Sequence, residues 1–481
     1  MKSASLRFLL LAFCLTGFGR SQTPDVSQLK AKLQELEQMM KDLQQQIAAV
    51  EQAQAPPGQP LVASKPPAGK VPPPAVPGKY IGDLTRTRDV ASDNPDSAAR
   101  IDNEPMDRAL RGYFRLPGTG TLIKLGGFIK TDLFIDTNMA GSYYGQYVPS
   151  SFPSSPQPHS VNATVSMRPS RFFAEFLQPV HGSTDSSDSV KGYLEYDFLG
   201  NPDRTSLRMR QFYAQYKNVL VGQTWSSFGD PDAFPDTLEF EGPPGIMGLR
   251  QPMFRYTHPL DKANSVGISV EKSGTDVPGG TPYGTPIGSS LWPDLIGFYR
   301  HENNHGHVYF AFVSRSVGGL IPNTTLPDLK NHVVGYGGSL SAVFGSKTDN
   351  IQLQAIFGKG ISNYYNDNFG LGSDVGFSAA GHLVATPSGS GTIGYQHHWS
   401  RIVRSTFSYG YLRINNTAGD PGTNYHISNY ATGNFIVQPS PSVLFGAEYI
   451  YGSLERKDGF KWVAPRIQAS ITYYLNKYPN E

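Results

Sequence analysis

Cysteine is almost missing from this chain. Its 481 residues contain one, Cys14, which lies inside a short apolar run near the start. Lys2 and Arg7 give that run a positive beginning, and Leu6 to Leu15 is too short to span a bilayer. Gly17 and Gly19 then precede the polar Ser21-Gln22-Thr23. Together these features read as a signal peptide over residues 1–22. Phe13 does not suit the position before a lipid-anchored cysteine. A mature chain without thiols has neither a disulfide framework nor a cysteine nucleophile or thiolate metal site. Secretion without disulfides suits a bacterial envelope protein.

Long apolar runs are also absent. No stretch after the signal approaches the ~20 residues of a membrane helix. Hydrophobic residues are 38% of the chain, a value that suits a soluble protein. It equally suits a transmembrane barrel, whose strands alternate apolar and polar residues and average to a soluble-looking composition. Net charge is only +2 and the basic residues are dispersed, which excludes nucleic acid as a partner. There is no G-x-S-x-G and no Walker loop, so the chain reads as non-enzymatic, with no cofactor.

Among the features present, the first is a heptad. Val26, Leu29, Leu33, Leu36, Met40, Leu43, Ile47 and Val50 follow an unbroken 3-4-3-4 spacing, with Lys, Glu, Asp and Gln between them. Such a stripe needs partner helices, so residues 24–52 are expected to form a coiled coil roughly 37 Å long. Its seam residues alone fit dimers, trimers or tetramers. Residues 53–118 follow as a Pro-rich spacer and polar lead-in. Pro56-Pro57, Pro66-Pro67 and Pro72-Pro73-Pro74 stiffen the spacer, and a short helix is expected near Met106–Gly112.

From residue 119 to 481 the pattern has a period of two. In Thr121–Asp136, Ile123, Leu125, Ile129, Leu133 and Ile135 face one way; Lys124, Lys130, Asp132 and Asp136 face the other, with Phe128 and Phe134. Ile467, Ala469, Ile471 and Tyr473 alternate in the same way with Arg466, Gln468, Ser470 and Thr472. Such windows recur along the chain, many about ten residues long, which is the span of a tilted strand crossing a bilayer. Seventeen windows are legible, among them 376–387. A single-chain bacterial barrel needs an even number, so sixteen strands are expected. Asn201-Pro202-Asp203 and Ser346-Lys347-Thr348 read as short turns. Ser142–Val165, Ser227–Leu249 and Ser273–Trp292 read as long loops. An apolar face that is long, aromatic and repeated belongs in lipid, and the charged face then lines a channel. A large secreted β-sandwich or propeller carrying an adhesin or glycan-binding surface on a trimeric stalk is the competing reading.

His301-Glu302-Asn303-Asn304-His305 matches H-E-x-x-H, but a zinc protease needs that motif on a helix. Strand-like runs flank it here, and Asn303-Asn304 and Gly306 form turns, so a hairpin is expected.

The stretch Val221-Gly222-Gln223-Thr224-Trp225-Ser226-Ser227-Phe228-Gly229-Asp230-Pro231, with Leu238-Glu239-Phe240-Glu241-Gly242-Pro243 and Arg250-Gln251-Pro252, resembles the DcaP-like outer-membrane porins of the phosphate-selective porin group. The layout of signal, coiled coil, spacer and barrel resembles theirs too. The resemblance implies a trimeric, sixteen-stranded all-β transmembrane barrel with a loop folded into the pore and the coiled coil in the periplasm. It implies small anionic solutes, including dicarboxylates, and contact with outer-membrane lipid and lipopolysaccharide. The stalk would be free to meet peptidoglycan or periplasmic partners. The chain departs from the barrel pattern in lacking a terminal Phe.

Under that reading the positions opposite the lipid stripe point into the channel. Lys124, Lys130, Arg171, Lys191, Arg255, Arg315, Arg404 and Arg466 are expected there. Arg208 and Arg210 share a parity, but Phe212 on the same face leaves their direction open. The inward loop would supply Asp230, Asp232, Asp236, Glu239 and Glu241, facing the basic wall across a transverse field. Inward acids are also expected on the wall, at Asp132, Glu195 and Asp197. The plainer alternative is that these lumen charges pair with one another. Trp225 and Phe228 are expected to pack the loop root against the wall.

Overall fold

The structure, a computed structural model, describes residues 113–475 except 142–145, 181–187, 202–203, 279–286, 322–328, 347 and 381. The signal, the heptad, the spacer up to residue 112 and the helix expected near Met106–Gly112 lie outside the described residues.

Sixteen antiparallel strands form one closed sheet among the described residues. They are β1 (Leu122–Asp136), β2 (Asn162–Ser166 continued by Arg171–Pro179), β3 (Ser189–Asp197), β4 (Arg208–Tyr216), β5 (Val219–Trp225), β6 (Arg250–Pro259), β7 (Asn264–Glu271) and β8 (Ile287–Ser289 continued by Asp294–Asn303). There follow β9 (Gly306–Ile321), β10 (Leu329–Gly345), β11 (Asp349–Lys359), β12 (Pro387–His398), β13 (Val403–Ile414), β14 (Tyr425–Ser440), β15 (Val443–Arg456) and β16 (Lys461–Val463 continued by Arg466–Tyr474). Each strand pairs with its sequence neighbours, and β16 closes on β1 from Phe128↔Tyr474 to Asp136↔Arg466. Closure leaves no open edge, so the ladder satisfies the backbone polar groups that lipid could not. Tyr113–Arg115 adds a short strand against the start of β1.

The alternation is as the sequence implies. Along β1, Phe128, Lys130, Asp132, Phe134 and Asp136 are buried inward, while Leu125, Ile129, Leu133 and Ile135 are exposed on the outside. Outward tyrosines sit near the short-turn ends of β6, β8 and β12, at Tyr256, Tyr299 and Tyr395, where an interfacial girdle belongs. Two breaks are chemically legible. Pro169 cannot donate to the ladder, so β2 is interrupted there, and the Lys130 N–H donates to Ser170 Oγ at 2.9 Å instead. In β4 the register slips: Glu195 faces Gln211 and Tyr196 faces Met209, leaving Arg210 as an extra, bulged residue.

The structure corrects three expectations. Residues 376–387 are not a wall strand; they hold a small hairpin, Val375–Phe377 with Leu383–Ala385, inside the β11–β12 connection. That was the surplus window. The usual barrel arrangement, short turns on one rim and long loops on the other, is not kept throughout: the turn at Asn201 lies on the rim of the long loops, because β3 runs toward the same rim as β1, while Ser346 and Thr348 lie on the opposite rim. The supposed loop Ser142–Val165 already contains the first part of β2, Asn162–Ser166.

Candidate functional site

The β5–β6 connection, residues 226–249, folds into the lumen and crosses it. Its root is locked by packing. Trp225 stands edge-on to Phe234 at 5.5 Å, and Phe228 edge-on to Tyr364 at 5.2 Å, all but Phe234 deeply buried. The glycine of the Gly-Gln-Thr-Trp segment has a stated job. Gly222 has φ +132°, and a Cβ there would meet Phe212 O at 2.4 Å and Tyr213 Cα at 2.5 Å. Only glycine fits so close to β4.

Further along, the loop is held to the far wall by the acids the sequence singled out. Asp230 and Asp232 reach Arg300 on β8, at 3.4 and 2.9 Å, and Asp230 also meets His307 at 2.7 Å. Asp236 pairs with Arg404 on β13 at 2.6 Å and accepts from Gln396 at 2.9 Å. Leu238 N–H donates to Glu448 on β15, at 2.5 Å. These acids do face bases, but in contact, as ion pairs that pin the loop. Glu239 differs in its contacts. Arg466 acts on it only through its field, and the carboxylate accepts the N–H groups of Tyr147, Glu241 and Gly242 at 3.0–3.1 Å. Its carboxylate was needed to tie two loops together, something strand parity cannot reveal.

Three long loops interlock in this way. Gln146, from the β1–β2 loop, donates to Glu241 at 2.6 Å. Asn366, from the β11–β12 loop, donates to Glu241 O and Pro243 O and accepts from Gly245 N. Burial pushes the Glu239 carboxyl up to about 7, although its three N–H partners favour the charged form. Burial, then the neighbouring Glu239 charge, raises Glu241 to about 7, against the pull of Arg208 and Arg250.

Between this loop and the wall lies a cavity of about 320 Å³. Its cationic lining is Lys130, Arg171, Arg208, Arg210, Arg250 and Arg404; its acids are Asp236 and Glu241. The bulge settles the question left by Phe212. The extra residue lets Gln211 and Tyr213 face inward, Phe212 outward, and both arginines inward again. Arg208 then forks onto Asp197 at 2.9 and 2.6 Å, and Arg210 bridges Glu195 and Asp197 at 2.7 and 2.9 Å.

The other expected cations are inward but outside this cavity. Lys124 lies 5.8 Å from the Tyr113 ring, and Lys191 meets Glu175 at 3.2 Å. Arg255 is fully buried on β6. Arg315 joins Asp294 and Asp374, and Arg466 meets Asp136 at 2.6 Å. Sequence reasoning missed Arg300, although the alternation Asp294, Arg300, Glu302 marked it as inward. It also missed Arg250, which lies at the start of β6, 4.2 Å from the Trp225 ring.

Asp230, Asp232 and His307 converge closely enough to ligate a cation. The Arg300 guanidinium already lies on both carboxylates, so the counter-charge there is an arginine. The H-E-x-x-H run is a hairpin, as expected. His301 faces outward and bonds Asn264 at 2.9 Å, Glu302 faces inward onto Arg300, and His305 is in the turn.

Residues 119–473 match the family described as DcaP outer membrane protein. The chain belongs to the DcaP outer membrane protein family. This chain covers 99% of the crystal structure of the outer membrane channel DcaP of Acinetobacter baumannii with 75% of its own length, at 22% identity and a TM-score of 0.63. That likeness shows the DcaP barrel fold. Weaker likenesses are to OmpT of Vibrio cholerae in its trimer form (11% identity, TM-score 0.47, 74% of this chain and 100% of that one) and to Salmonella typhi OmpF in complex with daunomycin (10%, 0.47, 75% and 100%). Comparison with curated proteins gives no match. DcaP membership makes the chain an outer-membrane protein, and decides against a secreted adhesin.

Proposed function

We propose that this channel passes small hydrophilic anions, dicarboxylates among them, by passive diffusion, and that the constriction sets the preference. The observation that carries this is the charge of the cavity. Six cationic side chains border it against two carboxylates, while Asp132, Glu195 and Asp197 pair with Lys130, Arg210 and Arg208 from outside the lining. Of the two lining carboxylates, Asp236 is paired with Arg404, and Glu241 is raised to about 7 and so about half protonated at neutral pH. Excess positive charge in a narrow, low-dielectric passage concentrates anions and lowers their barrier. The pore-lining set is Lys130, Arg171, Arg208, Arg210, Arg250 and Arg404, with Lys124, Lys191 and Arg255 on the approaches. In planar bilayers under a potassium chloride gradient, the reversal potential should have the sign of chloride preference, and succinate should carry measurable current. A potential of the opposite sign would reject the anion reading.

The heptad supports a trimer. Three chains would join through Val26, Leu29, Leu33, Leu36, Met40, Leu43, Ile47 and Val50, below barrels whose rims meet lipid and lipopolysaccharide. The coiled coil would lie in the periplasm on its Pro-rich tethers. Removing residues 24–52 should then leave single-channel conductance and selectivity nearly unchanged. A large change in either would show that the stalk reaches the pore.

A further inference from the structure

The cations of the constriction are not all restrained in the same way. Arg404 is held by Asp236, and Arg208 and Arg210 by Asp197 and Glu195. Lys130 is paired with the buried Asp132 and reaches Ser470 Oγ at 3.4 Å, and Arg171 acts on Asp197, but these two cations also share an aromatic cover. Both border the cavity, yet they are only 1% and 2% exposed. The Phe240 ring, carried by the inward loop, lies 4.6 Å from the Lys130 ammonium and 4.7 Å from the Arg171 guanidinium. The same ring stands edge-on to Phe128 at 5.8 Å and 82°. It is half-buried and lines the cavity beside the two cations it touches.

We propose that Phe240 is a specificity-determining residue of the constriction, a ring that covers Lys130 and Arg171 and holds back the anion attraction of that wall. The proposal rests on the anion reading of the cavity. The ring quadrupole meets part of each positive charge, and the ring's bulk keeps water and anions from that side. Its placement is fixed by its neighbours in the loop. Glu239 closes the turn around it by accepting the Glu241 and Gly242 N–H groups, and the Thr237 hydroxyl donates to Glu239 O at 2.6 Å. The solutes most affected by removing the ring are multivalent oxyanions, whose higher charge responds most to the uncovered Arg171 beside the Lys130–Asp132 pair.

The test is single-channel recording of the full chain and of F240A, F240L, R171Q and F240A/R171Q, with sulfate as the probe anion. F240A should raise the chloride-to-potassium permeability ratio by about two- to threefold and let sulfate block chloride current at lower concentration. R171Q should lower the ratio more in the F240A background than in the native one, because only there is the guanidinium uncovered. F240L keeps the apolar volume that packs the loop, so it should assemble even where F240A does not, and shift the ratio the same way by less. If F240A or F240L changes potassium and chloride currents in proportion, or R171Q acts equally in both backgrounds, Phe240 is only a spacer. That outcome leaves the anion reading standing, whereas a native channel with cation preference rejects the anion reading itself.

Discussion

Replacing Arg300 with alanine should free the root of the constriction loop and destabilise the barrel by about 3–5 kcal/mol, the usual cost of leaving buried charges without their partner. One guanidinium serves three carboxylates. Its Nε donates to Glu302 at 3.0 Å, and its terminal nitrogens reach Asp230 at 3.4 Å and Asp232 at 2.9 Å. Arg300, Asp230 and Glu302 are each 1% exposed or less, so water cannot replace the lost donor. The truncation would leave three acids close together, with His307 still on Asp230, and the cheapest relief is for Asp230 and Asp232 to swing into the lumen with the loop. Three consequences should appear together. The folded band on an unheated gel should disappear at a lower temperature, single-channel current should become larger and noisier, and selectivity should move toward cations. Arg300→Lys keeps the charge but loses the fork, so it should fall between alanine and the native protein. Native gel behaviour together with native conductance in Arg300→Ala would show that the loop is held without this cluster.

The wall of the channel was legible in the sequence because a barrel enforces one physical rule over its whole length. Side chains alternate between lipid and lumen, so parity alone placed Lys130, Arg171, Lys191, Arg255, Arg315, Arg404 and Arg466 inward, where they are found. The rule fails where the backbone departs from the pleat. At Arg210 a bulge adds one residue and reverses the parity downstream, an event without a sequence signature as plain as Pro169 gives in β2. The hairpin at 375–385 has the apolar alternation of a wall strand, and what excludes it is tertiary: its two strands pair with each other as a separate sheet outside the closed one. Arg300 was hidden by its position beside a decoy motif. The loop acids were correctly singled out, but their partners depend on the loop's path across the lumen. That path is set by contacts with β8, β13 and β15, far away in sequence, and period two says nothing about it.

Lowering the pH from 8 to 6 should strengthen anion preference, because the two loop carboxyls that titrate near 7 lose their charge in that interval. The sign follows from the direction of the shifts. Burial raises Glu239 and Glu241 above their ordinary value, so each is mostly charged at pH 8 and mostly neutral at pH 6. Loss of these two negative charges makes the constriction more positive as pH falls. One unit charge about 7 Å from a permeating ion in a water-like medium changes its energy by about 0.6 kcal/mol, roughly threefold for either ion. Anions gain and cations lose, so the permeability ratio should change severalfold at low salt and less at high salt, where screening shortens the reach. Linkage adds a stability effect of the same origin. The folded state binds these protons more tightly than the unfolded chain, so their stabilisation is full below about pH 4 and is lost as pH rises through 7. These two carboxyls therefore contribute most to holding the interlocked loops in acid and least in alkali. Glu239→Gln/Glu241→Gln keeps the volume and removes both titrations. It should hold the channel at its low-pH selectivity across the whole range. A reversal potential that still moves between pH 8 and 6 in that variant would assign the titration to other groups.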